Sequence, residues 1–273
     1  MVILKLEIAF IFLAISIMLF IIRMLLIKKI NQKDIIIASS LVIGMEEIQE
    51  DDIGITETEQ GTLAVLADGL GKKEAGRISS VYAVKEINEM FKSEGSDENE
   101  VYFFKKAYNK ANNEIIIRVE RDKGGASVLS CIVKKGYLHY ALVGDAMLCI
   151  FRKGELYKIS NGHSIDEVAK KQYESGKIRK EKAVSVIKEK KLIYYLGNSY
   201  FENLENNQEP IKLFKGDIIV LMSKGVYKGI KWIDLERIIS QNKKINDVCA
   251  NIIRNVNKEN NGSIILMKYV GNK

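Results

Sequence analysis

The chain has 273 residues, a formal charge of +7, one proline and three cysteines, enough length for one large domain with a substantial core plus accessory segments. Lys is spread among Ile and Asn with acidic residues interleaved, and no aromatic-rich basic motif occurs, which argues against nucleic-acid binding. Cys131, Cys149 and Cys249 lie in apolar runs without CxxC spacing, a pattern of reduced core thiols in a cytosolic compartment.

Ile8 to Ile27 is apolar except for Ser16 and Arg23, and at about 1.5 Å per residue a helix of this length covers the ~30 Å hydrocarbon core. One transmembrane helix is therefore expected. Lys28, Lys29 and Lys33 follow the span, whereas only Lys5 and Glu7 precede it, so the positive-inside bias places the later chain in the cytoplasm. A cleaved signal peptide is the competing reading, but the run is long and no small-x-small site follows. The chain divides into an anchor with its basic juxtamembrane segment, 1–33, and a domain over 34–273.

Short β-like runs come next, at Ile35 to Gly44, Ile53 to Thr58 and Leu63 to Ala67. Asp68-Gly69 is expected to break the third. Two amphipathic helices follow, Ala75 to Lys92 and Glu100 to Arg121, and then strands at Ala126 to Val133, Tyr137 to Val143 and Met147 to Arg152. The turn glycines between these strands predict an antiparallel meander. Asp166 to Lys191 is rich in Lys and Arg and poor in large apolar residues, which predicts an exposed helical excursion. Strands return at Leu192 to Leu196, Ile218 to Met222 and Ile264 to Tyr269, with helices at Trp232 to Ile239 and Ile245 to Val256. The fold class is α+β, a layered domain.

Carboxylates recur at turns between these runs: Glu50-Asp51-Asp52, Asp68-Gly69, Gly144-Asp145-Ala146 and Gly216-Asp217. Asp-Gly by itself is a turn dipeptide. A carboxylate at a strand end, followed by a glycine whose carbonyl is approachable, also suits a hard cation that takes oxygen ligands.

Taken with Gly125-Ala126-Ser127, Gly162-His163-Ser164, Ser223-Lys224-Gly225 and Asn260-Asn261-Gly262-Ser263, the order of these motifs resembles the PPM-type, or type 2C, metal-dependent serine/threonine protein phosphatases over roughly Asp34 to Tyr269. The resemblance implies a β-sandwich of two mainly antiparallel sheets flanked by helices. It also implies a binuclear Mn²⁺ or Mg²⁺ site that activates water for attack on a phosphoester. Glu50, Asp51, Asp68, Gly69 and Asp145 fall on the family's metal-binding positions, and Asp68 on the carboxylate that bridges the metals. Gly76 and Ser79 match the glycine and serine after the metal loop, His163 matches the family's Asp-His-Ser turn, and 166–191 falls where the family carries its flap.

The departures concentrate on one metal. Lys224 stands where the family has the aspartate of Ser-Asp-Gly, and Asn260 where it has the aspartate of Asp-Asn. Glu46, four residues before Glu50, takes the place of the phosphate-gripping arginine, a reversal of charge toward a phosphate dianion. Gly71-Lys72 replaces a Gly-Gly. Lys224 either places its ammonium near Asp68 in lieu of the missing cation or points into solvent. Two functional readings follow. The first is a membrane-tethered, catalytically impaired pseudophosphatase that binds one ion or none and serves phospho-signalling through a phosphoprotein or signalling partner. The second is an active Mn²⁺- or Mg²⁺-dependent phosphoprotein phosphatase with a shifted ligand such as Asp52. His139 is expected to be packed in its strand, and His163 to stabilise its turn.

Overall fold

The computed structural model describes residues 12–24, 34–71, 74–96, 99–120, 123–182, 192–199, 203–241 and 244–271. It falls into two units, residues 1–34 with 272–273, and Ile35–Gly271. In the first unit, residues 12–24 form a helix, α1, whose side chains are exposed. At about 1.5 Å per residue it is ~20 Å long. Among the described residues no helix is long and apolar enough to cross a membrane, and the remainder of the expected Ile8 to Ile27 span lies outside them.

The second unit is a four-layer stack. One sheet has the order β1 (Ile35–Val42), β11 (Gly262–Tyr269), β10 (Ile218–Met222), β6 (Met147–Arg152), β7 (Glu155–Lys158). The other runs β2 (Asp52–Thr58), β3 (Gly61–Gly71), β4 (Gly124–Lys134), β5 (Tyr137–Val143), β8 (Glu205–Asn206), with β9 (Ile211–Lys212) also on β5. All these strand pairs are antiparallel.

The period-2 pleat sorts the apolar side chains into layers. In β3, Leu63, Val65 and Ala67 face α2 (Glu74–Glu94) and α3 (Glu100–Arg118), while Ala64 and Leu66 face the opposite sheet. In β10, Val220 and Met222 pack against the helices of the far side, while Ile219 and Leu221 join the inter-sheet core. Those helices are α5 (Lys224–Gly229), α6 (Trp232–Gln241) and α7 (Ile245–Asn255). Strands covered on both faces read as continuous apolar runs, and β4 is buried from Gly124 to Val133.

The expected sandwich flanked by helices is present, with three corrections. Asp68-Gly69 does not end β3, which continues to Gly71 because its ladder to β4 runs on through Asp68↔Ser127 and Gly69↔Ala126. The strands after α3 are not one meander: β4 and β5 pair, but β6 crosses to the other sheet and pairs β10. The Gly144-Asp145 turn is thus a sheet-to-sheet crossing. Leu192 to Leu196 makes only the single bridges Ser164↔Leu192 and Ala126↔Leu196.

Several elements carried too little pattern to be anticipated. They are β7, β8, β9 and the short α5, six residues long. The hairpins β4–β5 and β6–β7 turn on Lys135-Gly136 and Lys153-Gly154, all four residues with positive φ, the two-residue turn whose twist matches that of paired strands. Of the basic excursion, α4 (Ile165–Glu174) is described and 183–191 lies outside the described residues.

Candidate functional site: a cleft with a lysine at a metal position

Four chain segments meet at one end of the sandwich. Asp68 comes from the end of β3, directly opposite Ser127 of β4. Asp51 precedes β2, Asp145 sits in the crossing between β5 and β6, and Lys224 opens α5 after β10. Glu50 lies beside them, its main-chain oxygen 2.5 Å from where a Cβ on Gly69 would stand. Its carboxylate Oε2 is likewise 2.9 Å from a Cβ position on Gly76. Side chains at either glycine would push Glu50 out, which is the local reason for glycine at both. Ser79 is turned inward, its hydroxyl donating to Ala75 O at 2.7 Å.

Serines and a histidine hold the acidic turns. Ser127 Oγ accepts the main-chain N–H groups of both Asp145 and Ala146 at 3.0 Å. His163 Nδ1 accepts from Gly144 N–H at 3.2 Å, and His163 N–H donates to Gly144 O at 2.7 Å. His163 thus fixes its turn to the one that carries Asp145. Ser263 Oγ donates to Asp51 Oδ2 at 2.7 Å, and Ser223 Oγ accepts from Ser263 N–H at 2.9 Å. These serines are completely buried, and a buried hydroxyl carries such hydrogen bonds at full desolvation cost if one is lost. His139 lies toward the opposite end of β4, half-buried, with Nδ1 3.9 Å from Glu100 Oε2. It takes no part in the cleft.

The Lys224 ammonium donates to Asp145 Oδ2 at 2.8 Å. The main-chain N–H of the same residue donates to Asp68 Oδ2 at 3.3 Å. The ammonium therefore hydrogen-bonds Asp145 while its charge also acts on Asp68, and Asp68 receives the backbone donor. The lysine stem starts one residue after the buried Ser223 and reaches across the cleft toward the β5–β6 crossing.

Electrostatics follow from crowding of like charge. Asp68 lies deep in a cleft that water still reaches, and its carboxyl is held well above the usual carboxylate range, first by burial and then by Asp51 and Asp145, with the Lys224 N–H and ammonium opposing. Asp51 is raised by burial, against hydrogen bonds from Ser263 and Ser223. Glu50 is raised by burial and then by the charges of Glu46 and Asp51. Glu46 itself is exposed, so it adds negative charge where an arginine is expected.

One expectation changes. Asp52 stands opposite Ala67 in the β2–β3 register, hence on the α2 face with Arg77 nearby, whereas Asp68 points to the other face. The pleat therefore excludes Asp52 as a shifted ligand. Asn260 is exposed, and the neighbouring Asn261 does the structural work. Asn261 Oδ1 accepts from Gly44 N–H at 3.1 Å and its Nδ2 donates to Ile48 O at 2.6 Å, tying the loop that presents Glu50 and Asp51 to the turn before β11. Lys72 lies outside the described residues.

The fit of the family's two cations is tested by the donors. Around Asp68, the Glu50 carboxylate, the Gly69 carbonyl and Asp51 Oδ1, which is buried without a hydrogen-bond partner, are hard oxygens of the kind a divalent ion takes. At the second position the ammonium of Lys224 is bound to Asp145 and Asn260 is a neutral, exposed amide. A cation does not fit there beside a fixed ammonium. Among the described residues no three Asp, Glu, His or Cys side chains converge to hold a metal ion; it is the Lys224 ammonium on Asp145 that the donor set of a second ion does not fit.

Comparison with known proteins accounts for the architecture. The family profile described as "Protein phosphatase 2C" matches residues 43–263. The chain is 22% identical over 231 residues to the serine/threonine phosphatase stp of Listeria monocytogenes, covering 80% of this chain and 89% of that protein. The structure of the S. agalactiae serine/threonine phosphatase superposes with a TM-score of 0.76 at 22% identity, over 87% of this chain and all of that one. The catalytic domain of the serine/threonine protein phosphatase PstP, solved with two manganese ions, superposes with a TM-score of 0.69 at 19% identity, over 87% and 99% of the two chains. With the sandwich, the acidic cleft and the matched span in agreement, the chain belongs to the protein phosphatase 2C, or PPM, family.

Proposed function

We propose that this protein is a catalytically impaired member of the PPM family, a pseudophosphatase that serves phospho-signalling by binding a phosphoprotein or signalling partner. The observation that carries the reading is the 2.8 Å contact between the Lys224 ammonium and Asp145 Oδ2. A fixed positive charge there offsets the clustered carboxylates that a second metal ion would otherwise neutralise, and it cannot polarise a water as a Lewis acid does. The Glu46 carboxylate further opposes entry of a phosphate dianion from its side of the cleft.

The same reading places the domain in the cytoplasm, tethered to the membrane through Ile8 to Ile27, on the support of the apolar run and the lysines that follow it. In an alkaline carbonate wash the full-length chain stays with the membranes. Its release intact into the supernatant would refute the anchor.

A second reading, an active Mn²⁺- or Mg²⁺-dependent phosphoprotein phosphatase, draws on the oxygen donors left around Asp68, above all the unpartnered Asp51 Oδ1. Calorimetric titration of the full-length chain with Mn²⁺, run beside a phosphopeptide hydrolysis assay, separates the two. The pseudophosphatase reading expects at most one weakly bound ion and no turnover above the blank. Two tight sites with turnover establish the enzyme instead.

A further inference from the structure

Beside the Lys224–Asp145 pair opens a cavity of about 160 Å³ between β6, the turn before α4, and α5. Among the described residues its charged lining is Lys158, Lys224 and Lys228 against Asp145 and Glu167. Each carboxylate is engaged by a lysine: Asp145 by Lys224 at 2.8 Å, and Glu167 by Lys158 at 2.7 Å. Lys228 is the surplus cation. Its ammonium lies 5.6 Å over the Tyr227 ring, and among the described residues it makes no ion pair. Ser164 and Asn161 belong to the same wall, the Asn161 amide also reaching Glu205 Oε1 at 3.5 Å. A volume equal to roughly five waters at ~30 Å³ each takes a phosphate group on a short stem.

We propose that this cavity binds a phosphate monoester, the phosphorylated side chain of a partner protein, and holds it without cleaving it. The inference rests on the pseudophosphatase reading above and gives that reading its ligand site. The charge pattern of the cleft is its argument. Glu46 adds negative charge beside Glu50, and positive charge gathers on the Lys224 and Lys228 side. An incoming phosphate is therefore turned away from Asp68 and toward α5 and α4, where three ammonium groups surround two already satisfied carboxylates.

The test uses the full-length chain in a nonionic detergent with EDTA present, so that binding is read without metal-dependent turnover. The probes are a phosphoserine pentapeptide, its unphosphorylated counterpart and inorganic phosphate, followed by calorimetry. Saturable binding of the phosphopeptide, none of the plain peptide, and a loss of about tenfold in Lys228→Glu with recovery in Lys228→Arg support the proposal. Lys228 is exposed, so its variants should keep the parent's unfolding temperature. Lys158→Gln provides a second variant, with a severalfold loss expected. Inorganic phosphate binding as tightly as the phosphopeptide would assign the site to the free ion and overturn the side-chain ligand. Unchanged binding in Lys228→Glu, or no saturable binding of either phosphate probe, would overturn the site altogether. Turnover of an aryl phosphate in Mn²⁺, measured separately, would count against the pseudophosphatase reading and leave the EDTA binding result to stand or fall alone.

Discussion

Lys224 and Asp145, 79 positions apart in the chain, form a 2.8 Å ion pair across the cleft, with Asp145 nearly buried and Lys224 about half exposed. The pair joins the sheet-to-sheet crossing at Asp145 to the helix that begins after β10. Lys224→Met removes the ammonium and keeps the stem, so the Asp145 carboxylate is left without its partner. Because the lysine is half exposed, solvent offsets part of that cost, and a loss of about 1 kcal/mol is expected. Thermal unfolding should show a midpoint lower by roughly 2–4 °C. An unchanged midpoint would mean that the ammonium does not stabilise the acidic cluster.

Asp68 carries the opposite expectation. Its pKa in the fold is raised, so its contribution to stability is fully present below the unfolded value of about 3.8 and is lost as pH rises through the folded value. Above the unfolded value the fold therefore bears a cost, because burial, Asp51 and Asp145 oppose ionisation of this carboxyl. Asp68→Asn abolishes the cost and keeps an oxygen that can accept from Lys224 N–H. In metal-free buffer the variant should be more stable than the parent at pH 7, by on the order of 1 kcal/mol, and indistinguishable from it near pH 3.5. Denaturant midpoints at the two pH values check the sign. Equal destabilisation at both would show that Asp68 acts through packing or hydrogen bonding and not through its charge.

Ser127 is a single hydroxyl that accepts two main-chain donors of the Asp145 turn. In Ser127→Ala both N–H groups lose their partner in a completely buried setting, at a cost of about 1–3 kcal/mol. Amide hydrogen exchange should quicken at Asp145 and Ala146 more than in β3. Uniform acceleration along the sheet would instead point to a general packing defect.

The proposed impairment of the metal site has a reversal at named positions. Glu46→Arg, Lys224→Asp and Asn260→Asp together return a phosphate-binding cation and two carboxylates to the places where the family resemblance expects them. The triple variant should hydrolyse a small aryl phosphate in Mn²⁺ well above the parent. A parent that already turns over briskly, with the triple variant no faster, would show that these three positions are not the impairment.

Much of the fold was legible in the chain. β5, β6 and β10 follow from apolar runs bounded by turn residues, and α2, α6 and α7 from helical periodicity, because burial on one face or two imposes a local pattern. The end of β3 was not legible. Asp-Gly has turn propensity, yet a ladder already formed with β4 carries the strand through it. Local preference of a few tenths of a kcal/mol yields to such pairing. β8 and β9, two residues each, leave no period to read.

For the site, the sequence by itself determined the inventory: which turns carry carboxylates, and that Lys224, Asn260 and Glu46 depart from the pattern that the rest resembles. Only the tertiary structure decided what these residues do. The pleat of β2 sets Asp52 on the helix face and away from Asp68, and the turn before β11 buries Asn261 while it exposes Asn260. The crossing between sheets brings Asp145 within 2.8 Å of a lysine far along the chain. A side chain's partner depends on where strands from two sheets end relative to one another, and that is fixed by long-range packing between the layers, which no local stretch of sequence encodes.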